Sequence, residues 1–317
     1  MCYNINALMK KVSAMSYYDD LLKKIPKIKH ILDNDTDYTI YHYTKPEKLL
    51  DILQGETIRF SNVLYLNDKD EVAYSYKLIV QLIEKAQNLN QELFEKIHNH
   101  FLAKYKYIVD GNSDFENNIE YFTTSFSSDS DNLTLWNNYA KGKNYTGYNI
   151  GFNKKKLIKD MESKNYFPIY GSVIYDRKKQ TQIILSIFKK WNTLFEKASK
   201  SKKASKIKLF NILFELIDVL NIVSIFFKNP EFKNEHEYRI VLVNAFGTEK
   251  SKPTKIVEKN GLFVPYLEYK FNKSSVSSVN IGPTLNETIF FTSTNRMLLN
   301  FGYENIEVYR SKIPLRY

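Results

Sequence analysis

Cysteine is almost missing from this chain: Cys2 is the only one among 317 residues. A single thiol excludes an internal disulfide and, with no CxxC pair, a cysteine-based zinc site, so the sequence suits a reducing cytoplasm. Glycine and proline are sparse, at 10 and 8, and no Gly/Ser-rich or Pro-rich stretch is long enough to separate domains. The common phosphate cradles are missing too, with neither GxxxxGK before Ser or Thr nor GxGxxG after a strand. No GxSxG elbow is present. His98 and His100, the one close histidine pair, stand at i, i+2 on a predicted helix, so their rings point apart and do not suit a shared metal.

Long apolar runs are also lacking. The opening "MCYNINALMKKVSAMSYYDDLLKKIP" has no uninterrupted apolar stretch and does not read as a signal peptide. The most apolar segment, "LFNILFELIDVLNIVSIFF" at 209–227, carries Glu215 and Asp218 near its middle, each costing roughly 2.5–3.5 kcal/mol in a bilayer. It is expected to be a buried or partner-facing helix, and no membrane association is expected.

Arginine is scarce as well. The formal charge is +11 with pI near 9.2, yet only six of the 46 basic residues are arginines. A surface selected for a polyanion would gain from counterion release. An AT-rich coding sequence would supply the same lysine without any partner, and composition does not separate the two.

Hydrophobic content of 43% with 15% aromatics is ample for a core. Residues 1–36 read as a helical segment, and 37–317 as one domain. Positions 38–43 alternate, with Tyr38, Ile40 and His42 on one face and Thr39, Tyr41 and Tyr43 on the other, the period of a strand. Thr44 and Glu47 have capping-box spacing, Pro46 suits a first helical turn, and Gly55 is the expected stop. Residues 72–107 follow the helical period. "IEYFTTSFS" reads as a strand, and "SSDSDNLTLWNNYAKG" as a capped short helix ending at Gly142. Further strands are expected at 145–152, 167–175, "HEYRIVLVNAF", "GLFVPYLEY", "SSVNIGP" and "NIEVYR". Helices are expected at 285–300 and in a lysine-rich insertion at about 177–228. The mixed order predicts an α+β fold.

Polar residues gather on strands in three places: His42-Tyr43-Thr44, then Thr124-Ser125-Phe126-Ser127, then Glu235-His236-Glu237-Tyr238-Arg239. Together with "YHYTKPEKLLDIL…IRFSNVLYLNDKDE", "TSFSSDSDNLTLWNNYA…GYNIGF", "EHEYRIV", "PYLEY" and "VNIGP", they resemble the bacterial domain-of-unknown-function family 2971 from about Tyr38 onward. That family is similar to the ADP-ribosyltransferase fold, whose split β-sheet binds NAD in a cleft.

The resemblance implies an ADP-ribosyltransferase-like split sheet with flanking helices, NAD as substrate, and Glu237 as the catalytic carboxylate. Glu235 would orient the incoming nucleophile. His42 would hold the adenosine-side ribose, with Thr44 beside it and Ser125 supporting the glutamate. Tyr43 or Tyr139 would stack on nicotinamide, and Arg59 would meet a phosphate. The acceptor would be a nucleic acid or a protein, in a toxin or phage-defence setting. No metal is implied. The alternatives are an NAD glycohydrolase and a non-catalytic module that binds nucleic acid or protein.

Local chemistry gives each residue a plainer role. Thr44 is a helix cap, His42 the end of a strand, Glu235 an exposed loop acid, and Ser125 and Ser127 ordinary strand and turn residues. Glu237 is the partner of Arg239, and Arg59 lies on a sheet edge. Trp136 belongs to the core. Asn67, Asp68 and Glu71 form a loop and helix cap.

Overall fold

The structure is a computed structural model that describes residues 37–66, 69–86, 89–110, 119–141, 147–164, 166, 168–201, 206–245, 253–259, 261–284 and 286–314. The expected N-terminal helical segment, the stop at Gly142, and Asn67 and Asp68 lie outside them.

Mixed α+β architecture is observed, built on a ten-stranded sheet. The strands are β1 (Thr39–Thr44), β2 (Thr57–Asn62), β3 (Ile119–Ser127), β4 (Tyr148–Asn153), β5 (Pro168–Ser172), β6 (Glu237–Ala245), β7 (Lys255–Lys259), β8 (Leu262–Lys270), β9 (Val276–Ile281) and β10 (Glu307–Arg310). The principal helices are α1 (Pro46–Gly55), α2 (Lys69–Lys85), α3 (Gln91–Asp110), α4 (Lys154–Ser163), α5 (Arg177–Ser199), α6 (Lys206–Ile225) and α7 (Glu287–Asn300). The helical period over 72–107 is carried by two helices, α2 and α3, with Asn90 capping the second through Leu93 N. Strand β7 was not anticipated, because "KIVEK" is short and polar and forms only as the partner of β8.

One strand organises the sheet. β6 pairs with β3 along its whole length, from Ile119 opposite Ala245 to Ser127 opposite Glu237. The other edge of β3 is shared: β2 pairs at Phe122 and Thr123, and β1 pairs at Ser127. β1 continues into β4, β9 and β10, and β2 into β8 and β7. Between Thr123 and Ser127 the two arms diverge, leaving a fork over Thr124, Ser125 and Phe126.

Each face of the sheet carries its own core. On one side α2, α3, α5 and α6 pack Ile79, Phe101, Trp191 and Leu220 over Tyr121, Ile169 and Val241. On the other, α1, α4 and α7 cover Ile40, Phe60, Phe126, Ile150 and Ile240. The lysine-rich block at 177–228 thus contributes α5 and α6 to the first core, with most of the lysines along these helices facing outward and the apolar stripe inward. Within α6, Leu216 and Val219–Ile225 are buried, as is Asp218, at 2% exposure. No helix among the described residues is long and apolar enough to cross a membrane.

The start of α1 departs from the capping-box expectation. Thr44 remains in β1 opposite Tyr148 and is buried. The N-cap is Lys45, in extended conformation and without a side-chain cap, while Pro46 opens the helix as predicted. The ladder with β4 holds Thr44 more firmly than a cap bond would. At the other end Gly55 is still helical, and Glu56 takes the left-handed conformation at φ 54°.

Candidate active site

A cleft of about 530 Å³ lies at the fork. It is lined by Glu235 and Glu237 on one side, by His42, Tyr43 and Thr44 on β1, by Ser125 at the base, and by Arg59 and Tyr139. The eight residues that the resemblance named for catalysis or NAD binding, His42, Tyr43, Thr44, Arg59, Ser125, Tyr139, Glu235 and Glu237, therefore line one cavity. Glu71 falls within the first turn of α2.

Glu237 opens β6 and is only 6% exposed. Its Oε1 accepts from Arg239 Nε at 2.7 Å, and its Oε2 from Arg239 Nη2 at 2.8 Å and Lys228 Nζ at 3.1 Å. The expected partnership with Arg239 is present because residues i and i+2 of a strand share a face. Burial pushes the Glu237 carboxyl up, opposed by Lys228 and by a hydrogen bond from the Ser125 hydroxyl. Burial pulls Arg239 down to about 9, which leaves it charged at neutral pH.

Glu235 is not the exposed loop acid expected from the sequence. It ends a 3₁₀ helix, Pro230–Glu235, and is 4% exposed. Its Oε2 accepts from Lys228 Nζ at 2.6 Å and its Oε1 from Tyr139 Oη at 2.8 Å. The reason is Lys228, a residue the sequence reading passed over. It follows α6 directly, is buried, and bridges both glutamates. Burial works against its charge, but Glu237 and Glu235 more than offset this and raise its pKa. Two cations and two carboxylates thus form a charge-balanced buried quartet. A lysine that closes the apolar run "VSIFF", seven residues before Glu235, was the available signal.

His236 makes the quartet possible. Its backbone is left-handed at φ 43°, so the chain turns between the 3₁₀ helix and β6 and brings the acids on either side to one lysine. Its Nδ1 meets Asp129 Oδ2 at 2.6 Å, and its carbonyl accepts from Ser128 N at 3.0 Å. Ser127 Oγ donates to the Glu235 carbonyl at 2.8 Å.

His42 occupies the fork. Its Nδ1 lies 3.0 Å from the Ser125 carbonyl, on the stretch of β3 where neither arm pairs. A carbonyl only accepts, so Nδ1 carries the proton and the imidazole supplies the donor that a neighbouring strand would have given. Burial lowers the His42 pKa, with the Ser125 carbonyl opposing. The neutral ring therefore keeps Nε2 as an acceptor.

The two candidate tyrosines differ. Tyr43 packs against Trp136 at 4.6 Å between ring centroids, and its hydroxyl donates to Asp129 O at 2.8 Å and accepts from Asn132 N at 3.1 Å. Tyr43 is thus held as a strut, while Tyr139 is 40% exposed at the cleft. Trp136 is buried as expected, with its indole N–H on Asp131. Arg59 is not on a sheet edge, since β2 lies between β3 and β8; its guanidinium sits 5.0 Å over the Tyr266 ring. Among the described residues no group of three or more His, Cys, Asp or Glu is placed to hold a metal ion.

Residues 135–240 match a family model described as a protein of unknown function, DUF2971. The match takes in about a third of the chain, from the Trp136 turn to Arg239, and so includes both glutamates and Lys228. It supports the family assignment. No curated protein and no solved structure matches the chain.

Proposed function

We propose that the protein is an NAD-dependent ADP-ribosyltransferase that modifies a macromolecule. The observation that carries this reading is the fork, where a buried carboxylate at the head of β6 and a neutral histidine on β1 line one cleft. Its volume falls within the range of small-ligand pockets, roughly 300–1,000 Å³. Cleaving the nicotinamide–ribose bond develops positive charge on the ribose, as in glycoside cleavage. Glu237 would accept a hydrogen bond from the ribose 2′-hydroxyl and stabilise that charge from a low-dielectric position. His42 would take a ribose hydroxyl proton donor at Nε2. Tyr139 is the exposed ring available to nicotinamide, and Glu235, bonded to it, ties that ring to the quartet. A protein or nucleic acid would be the acceptor, and a toxin or phage-defence role would suit the activity.

A second reading is favoured by a different observation. The Glu237 carboxylate has about four acceptor positions. Arg239 fills two, Lys228 a third, and the Ser125 hydroxyl also bonds to it. A carboxylate so engaged suits a structural quartet in a non-catalytic binding module. For catalysis the ribose hydroxyl must replace the bond from Ser125, the one donor of the set that is itself exposed.

Incubation with isotope-labelled NAD and cell lysate separates the readings, using wild type, Glu237→Gln and His42→Ala, with thermal melts as a check on folding. Label on protein or nucleic acid that both folded variants lose supports the transferase. Nicotinamide released without label makes water the acceptor, an NAD glycohydrolase. Neither product with any lysate fraction overturns the enzyme reading and leaves the binding module.

A further inference from the structure

Asp129 and His236 form a polar pair beside the quartet. His236 Nδ1 lies 2.6 Å from Asp129 Oδ2, with the imidazole 55% and the carboxylate 40% exposed. A carboxylate only accepts, so Nδ1 carries the proton, and Nε2 of the neutral ring keeps its lone pair. The carboxylate is held in place from its other side. Asn132 Nδ2 donates to the same oxygen at 3.1 Å, and the Asn132 N–H donates to the hydroxyl of Tyr43, a residue of the cleft lining. The backbone at His236 is left-handed, a conformation that crowds any Cβ and that glycine adopts freely. Strain of this kind gathers at functional sites, and here it holds an imidazole between Glu235 and Glu237.

Transfer to a macromolecule requires a proton acceptor that the cleft lining does not offer. Glu235 is 4% exposed, with one carboxylate oxygen on Lys228 and the other on the Tyr139 hydroxyl. Burial and the Glu235 charge hold the Tyr139 phenol protonated. Glu237 and His42 face ribose hydroxyls in the transferase reading. Asp51 is paired with Lys48 at 2.9 Å. Glu258 accepts from the Gly261 N–H at 2.6 Å on β7, with β8, β2 and β3 between that strand and β6. His236 does not line the cleft. It stands exposed between two residues that do, on the side from which an acceptor too large to enter must approach.

We infer that His236, oriented by Asp129, is the general base that takes the proton of the acceptor's nucleophile. The inference rests on the transferase reading. In the step, the bond from ribose C1′ to the nicotinamide nitrogen breaks, its electron pair stays on nicotinamide, and a lone pair of the acceptor oxygen forms the new bond to C1′. The proton of that oxygen passes to Nε2, giving an imidazolium beside the Asp129 carboxylate, and then to water. An oriented histidine of this kind is the common device for such a proton. It also specifies the acceptor group. A hydroxyl needs a base to attack, whereas a carboxylate attacks without one, so the modified group is a hydroxyl.

Label transfer from isotope-labelled NAD to the lysate fraction that accepts it tests the assignment, with wild type, His236→Gly and Asp129→Asn. Glycine suits the left-handed turn, so the first variant is expected to fold, and a thermal melt verifies it. In His236→Gly the kcat for transfer should fall at least about 100-fold, with KM for NAD kept within about twofold. Added imidazole should restore the rate in proportion to its concentration, which a purely structural role of His236 would not allow. Asp129→Asn should slow transfer at least about tenfold. The transferred label should survive neutral hydroxylamine, because an acetal to a hydroxyl resists it and an ester to a carboxylate is cleaved. A wild-type rate in either variant, a loss that imidazole does not restore, or label released by hydroxylamine overturns the inference. The two readings fail separately. Wild-type labelling that His236→Gly leaves unchanged removes the base and keeps the transferase, whereas no labelling by wild type removes both.

Discussion

Glu237 and Arg239, two residues apart on β6, meet through both carboxylate oxygens, at 2.7 and 2.8 Å, beneath a cleft that reaches only the glutamate. The arginine also donates to the Ile225 carbonyl at the end of α6, so the pair couples the sheet to the helical layer. Lys228 completes the arrangement from the same turn of chain. Removing one member of such a group strands an opposite charge in a low dielectric. Lys228→Met should cost about 3–5 kcal/mol in urea unfolding. A loss below about 1 kcal/mol would mean that water already solvates the carboxylates, and would undo the claim that the quartet organises the site.

The turn at His236 makes a different demand. A left-handed backbone costs a non-glycine residue about 1–2 kcal/mol, and His236 pays it at φ 43°. Both His236→Ala and His236→Gly lose the bond to Asp129, but only glycine escapes the backbone cost. The glycine variant should be the more stable of the two by about 1 kcal/mol. Thermal or urea melts that rank alanine equal or higher would show that the conformation carries no strain.

Asp160 provides an acid-sensitive anchor for the second core. Burial alone would raise its pKa, but hydrogen bonds to its Oδ2 from Tyr269 at 2.5 Å, Lys164 at 2.9 Å and Asn272 N at 2.9 Å outweigh it and hold the carboxyl low. Because the folded state binds this proton less readily than the unfolded chain, the contribution is complete above the ordinary aspartate range near pH 4. It is lost as pH falls through the lower folded value. Asp160→Asn should cost about 1–3 kcal/mol at pH 7 and make the acid limb of the stability curve shallower. An unchanged acid limb would exclude the mechanism.

What the sequence disclosed follows from the range of the forces involved. Period-two alternation marked β1, and the i, i+2 spacing of Glu237 and Arg239 predicted their pairing, because both are local geometry. Pro46 marked the start of α1 for the same reason. The capping role of Thr44 failed because the competing force, its ladder with Tyr148, comes from a strand about a hundred residues away. Glu235 looked exposed because Lys228, which accounts for its burial, precedes it in a stretch that reads simply as the end of an apolar helix. The fork was not legible, since no local pattern says that β1 and β2 share one edge of β3.

Lys104 offers the last test, at the alkaline end. It is buried in α3, with Nζ 3.0 Å from Asn221 Oδ1 and 5.5 Å from the Tyr76 ring. Burial pulls it down to about 7, with Asp218 opposing. Between that value and the unfolded lysine range near 10.4, the unfolded chain binds a proton that the folded protein does not, so stability should rise with pH. The raised tyrosines oppose this only above about pH 10, which leaves pH 7–9 clear. Lys104→Gln keeps a donor for Asn221 and removes the titration. Urea midpoints should climb from pH 7 to 9 in wild type and change less in the variant. Parallel curves would mean that Lys104 stays charged in the fold, held by Asp218, and that the helical layer tolerates a buried ion pair as the cleft does.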